Sequence, residues 1–287
     1  MTIDQVRHLL RCPVCASPFL TQAPAPVLRC PRGHAFDIAR HGYVNLLTGK
    51  APAGAETPAM VAARADLLAA GPLDPVAQAV IDAVTDQVPT DEGVVVDAGA
   101  GTGHYLAAVL DARPATLGIA VDVAKAAARH SARAHPRIAS VVADVWRGLP
   151  LVDGCAAAVL NIFAPRNAAE FHRVLRPDGL LVVVTPTVRH LGELVTALGL
   201  LSVDPAKTQR LAASLERWFT PAGQHPVAYP LALTRDAAAQ FVAMGPSSWH
   251  VDADQLAGRL AALPEPVAVT VSVMVNVYRP RLATRRG

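Results

Sequence analysis

The chain reads as an α/β protein: a Rossmann-like, doubly wound sheet preceded by a small metal-organised segment. Three observations predict this. A Gly-rich turn lies between a β-branched run and an amphipathic stretch in residues 93–112. Two further apolar runs, each ending in an acid, follow it. Three of the four cysteines fall in the first thirty residues, close to a histidine. The 287 residues are 52% hydrophobic and 17% charged, enough apolar surface for a sizeable core and the wrong composition for disorder. No apolar run reaches the roughly 18 residues of a membrane span. The N-terminal MTIDQVRHLLRC carries charges where an export signal needs an apolar stretch, so a cytoplasmic location without membrane association is expected.

Charge is unevenly placed. The formal net charge is +3, but residues 1–50 hold six basic side chains against Asp4 and Asp37, so the remainder is slightly acidic. A polyanion would meet the N-terminal segment first. Only three of the 26 basic residues are lysines, an arginine excess that accompanies abundant Ala, Pro and Gly and fits a GC-rich coding bias.

The N-terminal run is Cys12-Pro-Val-Cys15, then fourteen residues, then Cys30-Pro-Arg-Gly-His34. Two knuckles of this spacing can converge into a tetrahedral shell of three sulfurs and one nitrogen, the closed geometry of structural zinc. A disulfide fits a reducing compartment poorly, and a redox Cys-x-x-Cys does not call for the second knuckle. Residues 1–48 are therefore expected to form a zinc domain, too poor in apolar content to fold without its metal. Cys155, in an Ala-rich run, reads as a buried small hydrophobe. Between His34 and Leu47, Arg40, His41, Tyr43 and Asn45 suit either a strand and turn against the zinc core or an RNA-facing surface. Residues 49–90 read as a linker followed by two helices, at about 60–70 and 75–87, and residues 91–287 as the main domain.

The informative segment is Gly93-Val-Val-Val-Asp-Ala-Gly-Ala-Gly-Thr-Gly-His-Tyr105. Its strand, glycine turn and helix match the first unit of a doubly wound sheet. Its glycines, Gly99, Gly101 and Gly103, miss the dinucleotide spacing, because His104 stands where the third glycine belongs. Asp97 at the strand end would repel a pyrophosphate but suits a cationic ligand. S-adenosylmethionine carries an ammonium and a sulfonium and no phosphate, so it is the favoured ligand. Leu117–Asp122 is a second strand, with Asp122 placed for a ribose diol. Ser140–Asp144 is a third, with Asp144 suited to the adenine amino group. The fourth, Ala156–Leu160, leads into Asn161-Ile-Phe163-Ala-Pro165, where an amide and an aromatic resemble the acceptor side of base-nitrogen methyltransferases. A helix at about 167–175, a turn at Pro177–Gly179 and a strand at 180–185 follow, then Arg189-His190 near the same edge. Beyond these, the pattern predicts a helix at 206–218, a strand near 227–233, a polar and aromatic loop at Met244–His250, a terminal strand at 267–278 and a basic tail.

Taken together, the zinc motif, Gly42-Tyr-Val-Asn-Leu-Leu47, Met60-x3-Arg64, Asp97-x-Gly-x-Gly-x-Gly103, Ala164-Pro165 and Thr185-Pro-x2-Arg-His-Leu191 resemble the RlmA family of 23S rRNA (guanine-N1)-methyltransferases. Asn161–Asn167 and Met244–His250 look closest to its type II, TlrB-like branch. The resemblance spans nearly the whole chain. It implies a Rossmann-like S-adenosylmethionine-dependent methyltransferase domain with an N-terminal zinc ribbon that helps grip rRNA. It also implies a guanine of hairpin 35 as target, a homodimer whose cleft holds the RNA, and a link to tylosin-type resistance. Family donor contacts map onto Gly101, Thr102 and His190; Leu73 replaces an aromatic of the family pattern, leaving an apolar contact there. Asn161 and Phe163 are the expected acceptor-side residues. A small-metabolite methyltransferase with a zinc ribbon used for assembly is the alternative.

Overall fold

A computed structural model describes every residue except 1, 22–25, 53, 201–209, 211–212, 245–252 and 283–287. Residues 245–250 of the Met244–His250 loop, 206–209 and 211–212 of the helix expected at 206–218, and the end of the basic tail thus lie outside the described residues; residues 213–216 of that expected helix are helical.

The amino-terminal segment contains α1 (Thr2–Val6), β1 (Val27–Arg29), β2 (Ala35–Asp37) and β3 (Tyr43–Asn45). Helices α2 (Pro58–Ala69) and α3 (Asp74–Gln87) lead into the core. There, β4 (Gly93–Ala98), α4 (His104–Ala112), β5 (Thr116–Asp122), α5 (Lys125–Ala134) and β6 (Ile138–Val142) alternate. Next come β7 (Ala156–Ile162), α6 (Ala168–Val174), β8 (Leu175–Pro186) and α7 (Gly192–Leu198). The described chain ends with β9 (Phe219–Leu233), α8 (Arg235–Ala243), α9 (Ala253–Ala261) and β10 (Val267–Pro280).

Eight strands form one sheet in the order β3-β6-β5-β4-β7-β8-β10-β9. The first six are parallel, and β10 runs antiparallel to both β8 and β9. The parallel strands are apolar on both faces, as expected when both are covered: β6 and β7 are buried throughout. Chain order reverses between β4 and β7, which puts a crevice at the carboxyl ends of those two strands.

The two sheet faces have different covers. One packs against α3, α4 and α8 through Val80, Leu106, Leu110 and Phe241. On the other, Val94, Val96, Ile119 and Val141 are continuous with Leu10, Phe19, Leu28 and Cys30 of the amino-terminal segment. That segment also contributes β3 to the main sheet, paired in parallel with β6 from Tyr43↔Ser140 to Asn45↔Val142.

Three local features depart from the sequence reading. The turn at Pro177–Gly179 is a bulge inside β8, with Ala156 opposite Leu175 and Ala158 opposite Leu180. Strand β9 begins eight residues earlier than the 227–233 segment suggests, because its prolines lie on an edge strand where a missing N–H is tolerated. Cys155 is only half-buried, although burial still pushes its thiol up to about 11.

Candidate functional site

The metal centre comes first along the chain. The ligand atoms of Cys12, Cys15, Cys30 and His34 all lie within 4.8 Å of one another. Cys15 Sγ and Cys30 Sγ are 3.7 Å apart, and His34 Nδ1 lies 3.6 Å from Cys12 Sγ and 3.4 Å from Cys30 Sγ. A tetrahedron built on Zn–S bonds of about 2.3 Å has sulfur–sulfur edges of about 3.8 Å. Three thiolates and one imidazole at this spacing therefore fit a closed, structural zinc ion. Phe19 and Phe36 meet edge to face at 5.8 Å beside the centre. Bridges from Leu10 to Leu151 and from Arg11 to Pro18 tie the ribbon to the core and to itself.

The second site is the crevice between β4 and β7. Asp97, the fifth residue of β4, is 1% exposed, and its Oδ1 has no hydrogen-bond partner. Burial, reinforced by the charge of Asp122, pushes its carboxyl up to about 8. An orphaned carboxylate is costly unless a ligand completes it. The ammonium and sulfonium of S-adenosylmethionine are groups that would.

The turn after Asp97 is held in place before any ligand arrives. Asp122 Oδ2 accepts from the Gly101 N–H at 2.8 Å, and its Oδ1 accepts from the Ala124 N–H at 2.8 Å. Burial raises the Asp122 carboxyl, and these amides act against that rise. Gly99 has φ +88°, and a Cβ there would lie 2.4 Å from the Ala164 Cβ. The glycine thus lets the β4 turn and the β7 loop close on each other.

Asn161 lies inside β7, fully buried, one residue before the strand ends. Its Nδ2 donates to Ala98 O at 3.0 Å and Pro165 O at 2.8 Å, pinning both loops, while its Oδ1 is buried without a partner. Phe163 follows at φ +53°, a strained backbone for a residue with a side chain. Its ring is 37% exposed and stacks 6.1 Å from His190. Strain at this position turns the ring outward over the crevice.

Asp97, Gly99, Gly101, Thr102, Phe163 and Leu73 line one cleft. Arg64, Leu68, Tyr105, Ile162 and Met244 line it too; the sequence motifs contain four of these five without marking any of them as a site residue. Arg64 and Leu68 come from α2, Tyr105 from α4, Ile162 from the end of β7 and Met244 from the end of α8, long-range contacts that no local periodicity encodes. Two expected donor contacts sit apart. His190 reaches the cleft only through Phe163; its Nδ1 accepts from the Ser272 N–H at 3.2 Å, and burial lowers it to about 4, so it is a neutral side chain. Asp144 caps the short helical turn after β6, accepting from the Trp146 N–H at 2.9 Å. Gly103 precedes α4 and starts that helix.

Beside the ribbon lies a stripe of unneutralised charge. Lys125, Arg129 and Arg133 recur every fourth residue on α5, a helix without an acid, and all three are exposed. Like charges at this spacing destabilise a helix, as does a cation in its first turn. Arg133 Nη2 donates to His41 Nδ1 at 2.8 Å, and Arg40 lies on the other side of the same ring. Burial and the charges of Arg133, Arg40 and Arg129 hold His41 below its ordinary value. Among the described residues none of these four cations has a carboxylate partner. No single described helix is long and apolar enough to cross a membrane.

Comparison with known proteins agrees with this geometry. Residues 10–50 match the zinc-ribbon family described as RlmA, N-terminal. The 23S rRNA (guanine(748)-N(1))-methyltransferase of Streptomyces fradiae is 50% identical over 283 residues, covering 98% of this chain and 99% of its own. A Micromonospora griseorubida protein, provisionally named a 23S rRNA (guanine-N(1)-)-methyltransferase, is 54% identical over 96% of this chain and 99% of its own. A solved complex of the Haloferax volcanii Trm112 methyltransferase activator with a methyltransferase shares the fold over 80% of this chain and 100% of that one, at TM-score 0.50 and 16% identity. With half its residues shared along almost its entire length, the chain belongs to the RlmA-type family of 23S rRNA (guanine-N1)-methyltransferases.

Proposed function

We propose that the protein methylates N1 of a guanine in 23S rRNA, in the hairpin 35 region, using S-adenosylmethionine. On this reading it acts in the cytoplasm as a homodimer, and tylosin-type macrolide resistance is a cellular outcome. The observation that carries it is the orphaned Asp97 carboxylate at the β4/β7 crevice, in a chain whose Streptomyces relative is named for guanine-N1 methylation.

S-adenosylmethionine supplies an electrophilic methyl on a cationic sulfur, so the protein needs chiefly to orient donor and acceptor. Asp97 favours the cationic end of the donor. Gly99, Gly101, Gly103 and Thr102 form the turn against which it lies, Leu73 gives apolar contact, and Asp122 and Asp144 are the candidates for ribose and adenine. His190 supports the Phe163 ring. Asn161 holds the two loops together and offers its unpartnered Oδ1 as an acceptor toward the guanine edge. Phe163 offers a ring for stacking on a base turned out of its helix. The α5 stripe with Arg40 and His41 supports RNA as the substrate, since unpaired cations are stabilised by a phosphate backbone. The structural zinc at Cys12, Cys15, Cys30 and His34 holds the ribbon against that stripe.

Mass mapping of 23S rRNA from cells with and without the protein should show one methyl on a hairpin 35 guanine only when it is present. With hairpin RNA in vitro, Asn161→Ala should lower methylation by about 100-fold, a loss of roughly 2.7 kcal/mol; unchanged turnover would remove Asn161 from the acceptor side.

A further inference from the structure

One cation and one carboxyl group, Arg64 and Asp97, line the cleft, and the arginine is already held by a second acid outside that lining. Arg64, on α2, lines the crevice, with its Cδ 3.6 Å from where a Cβ on Gly101 would stand. Its Nη2 bonds Glu56, at the end of the linker, and also donates to Met244 O at 3.2 Å. The Arg64 Nε–H is buried and has no partner. Glu56 is itself mostly buried, and burial outweighs the arginine to raise its carboxyl, with Asp122 adding to the rise. It is thus an ion pair in which one partner is held at a cost and the other keeps an unused donor.

Resting on the donor reading above, we infer that Arg64 recognises the α-carboxylate of the donor's amino-acid moiety and that Glu56 is a displaceable internal stand-in for that carboxylate. The donor's amino-acid end is a zwitterion. Asp97 and Arg64 line one cleft and carry the opposite charges that such an end requires. A guanidinium binds a carboxylate through two parallel N–H bonds, and Arg64 has the spare Nε–H needed to build such a fork. On binding, the donor carboxylate takes the guanidinium, and Glu56 moves out to water, where its charge is better solvated.

Calorimetry on the full-length, zinc-loaded protein tests this with two ligands. S-adenosylhomocysteine has the amino-acid moiety; 5′-methylthioadenosine keeps the adenosine and sulfur but lacks it. Arg64→Met should weaken S-adenosylhomocysteine by about 10- to 100-fold, as expected for losing a charge-assisted pair, and leave methylthioadenosine within about two-fold. Glu56→Gln should tighten S-adenosylhomocysteine several-fold and leave methylthioadenosine unchanged. Arg64→Lys, which keeps the charge without the fork, guards against misfolding of the methionine variant and should fall between that variant and the parent. Equal weakening of both ligands by Arg64→Met, or weakening of S-adenosylhomocysteine by Glu56→Gln, would make the pair a structural staple and overturn the inference. A parent protein that binds neither adenosyl compound would instead overturn the donor reading itself.

Discussion

The ribbon and the crevice both gather costly polar groups, but they are organised by different means. In the ribbon, three thiols and an imidazole converge with only three-residue strands around them, so the metal must supply the order. In the crevice, the backbone supplies it: Asp122 and Asn161 hold the turns after β4 and β7 without a ligand. Among the described residues, what the crevice leaves unsatisfied is chemically specific: the Asp97 and Asn161 Oδ1 atoms, the Arg64 Nε–H and the Tyr105 hydroxyl. A structural site thus closes on its ligand, whereas a substrate site is preformed and left short of particular partners.

Metal removal should produce the largest effect. Structural zinc contributes on the order of 10 kcal/mol to small zinc modules, so Cys30→Ser or strong chelation should unfold the ribbon and abolish RNA methylation. Because β3 and the Leu10–Leu28 cluster are continuous with the sheet, the core should lose stability as well. Donor binding by calorimetry should nevertheless persist in the folded fraction; loss of donor binding with the core still folded would break the division between regions.

The next contrast sets two glycines against each other. Gly99→Ala should cost roughly 2–5 kcal/mol, combining left-handed strain with the collision against Ala164. Gly33→Ala, at φ +83° with nothing within 4 Å, should cost only about 1–2 kcal/mol. Denaturant melts of the zinc-loaded variants measure both, and equal costs would mean the β4 and β7 loops are not clamped.

Asp97 gives a pH-dependent prediction. Its folded value of about 8 lies above the unfolded value near 3.8, so the folded protein without donor keeps a proton that the unfolded chain releases. Stability should therefore fall as pH rises from about 4 to 8, by up to about 1.4 kcal/mol per unit, with no such penalty below about 4. Asp97→Asn should flatten that slope and weaken the donor by about 10- to 100-fold, because its cationic end loses a charged partner. Binding by the parent should release a proton near neutral pH, which calorimetry in buffers of different ionisation enthalpy detects. Charge removal at Arg129 and Arg133 should act on the other substrate: the double alanine variant should reduce the salt slope of RNA binding by about 2 and leave donor affinity unchanged.

How much of this was legible in the sequence depends on the range of the contacts. The Cys12–His34 spacing and the strand–turn–helix at 93–112 are local, and the structure brings their residues together as the spacing implies. Asp97 and Asp122 were readable for the same reason, since a strand end fixes where its side chain emerges. Arg64 over Gly101 and β3 beside β6 were not, because both depend on how distant segments pack. The prolines of β9 hid half of a strand that only its edge position permits. The sequence pattern puts Asn161 after its strand, whereas it is the last but one residue within it, which lets its amide clamp the turns after β4 and β7.

Asp144 separates the local from the ligand-directed role most finely. It accepts from the Trp146 N–H and lies 3.5 Å from Arg147 Nε, so the structure by itself assigns it a cap. Asp144→Asn keeps an acceptor oxygen for that cap and removes the charge, so stability should change by less than about 0.5 kcal/mol. If the second oxygen also serves the adenine amino group, the amide must choose between its acceptor tasks, and donor affinity should fall by about three-fold, some 0.65 kcal/mol. Asp144→Ala should lose both functions, costing about 1 kcal/mol of stability together with the affinity. An asparagine variant that binds donor like the parent would leave Asp144 a cap alone and narrow the crevice's acids to Asp97 and Asp122.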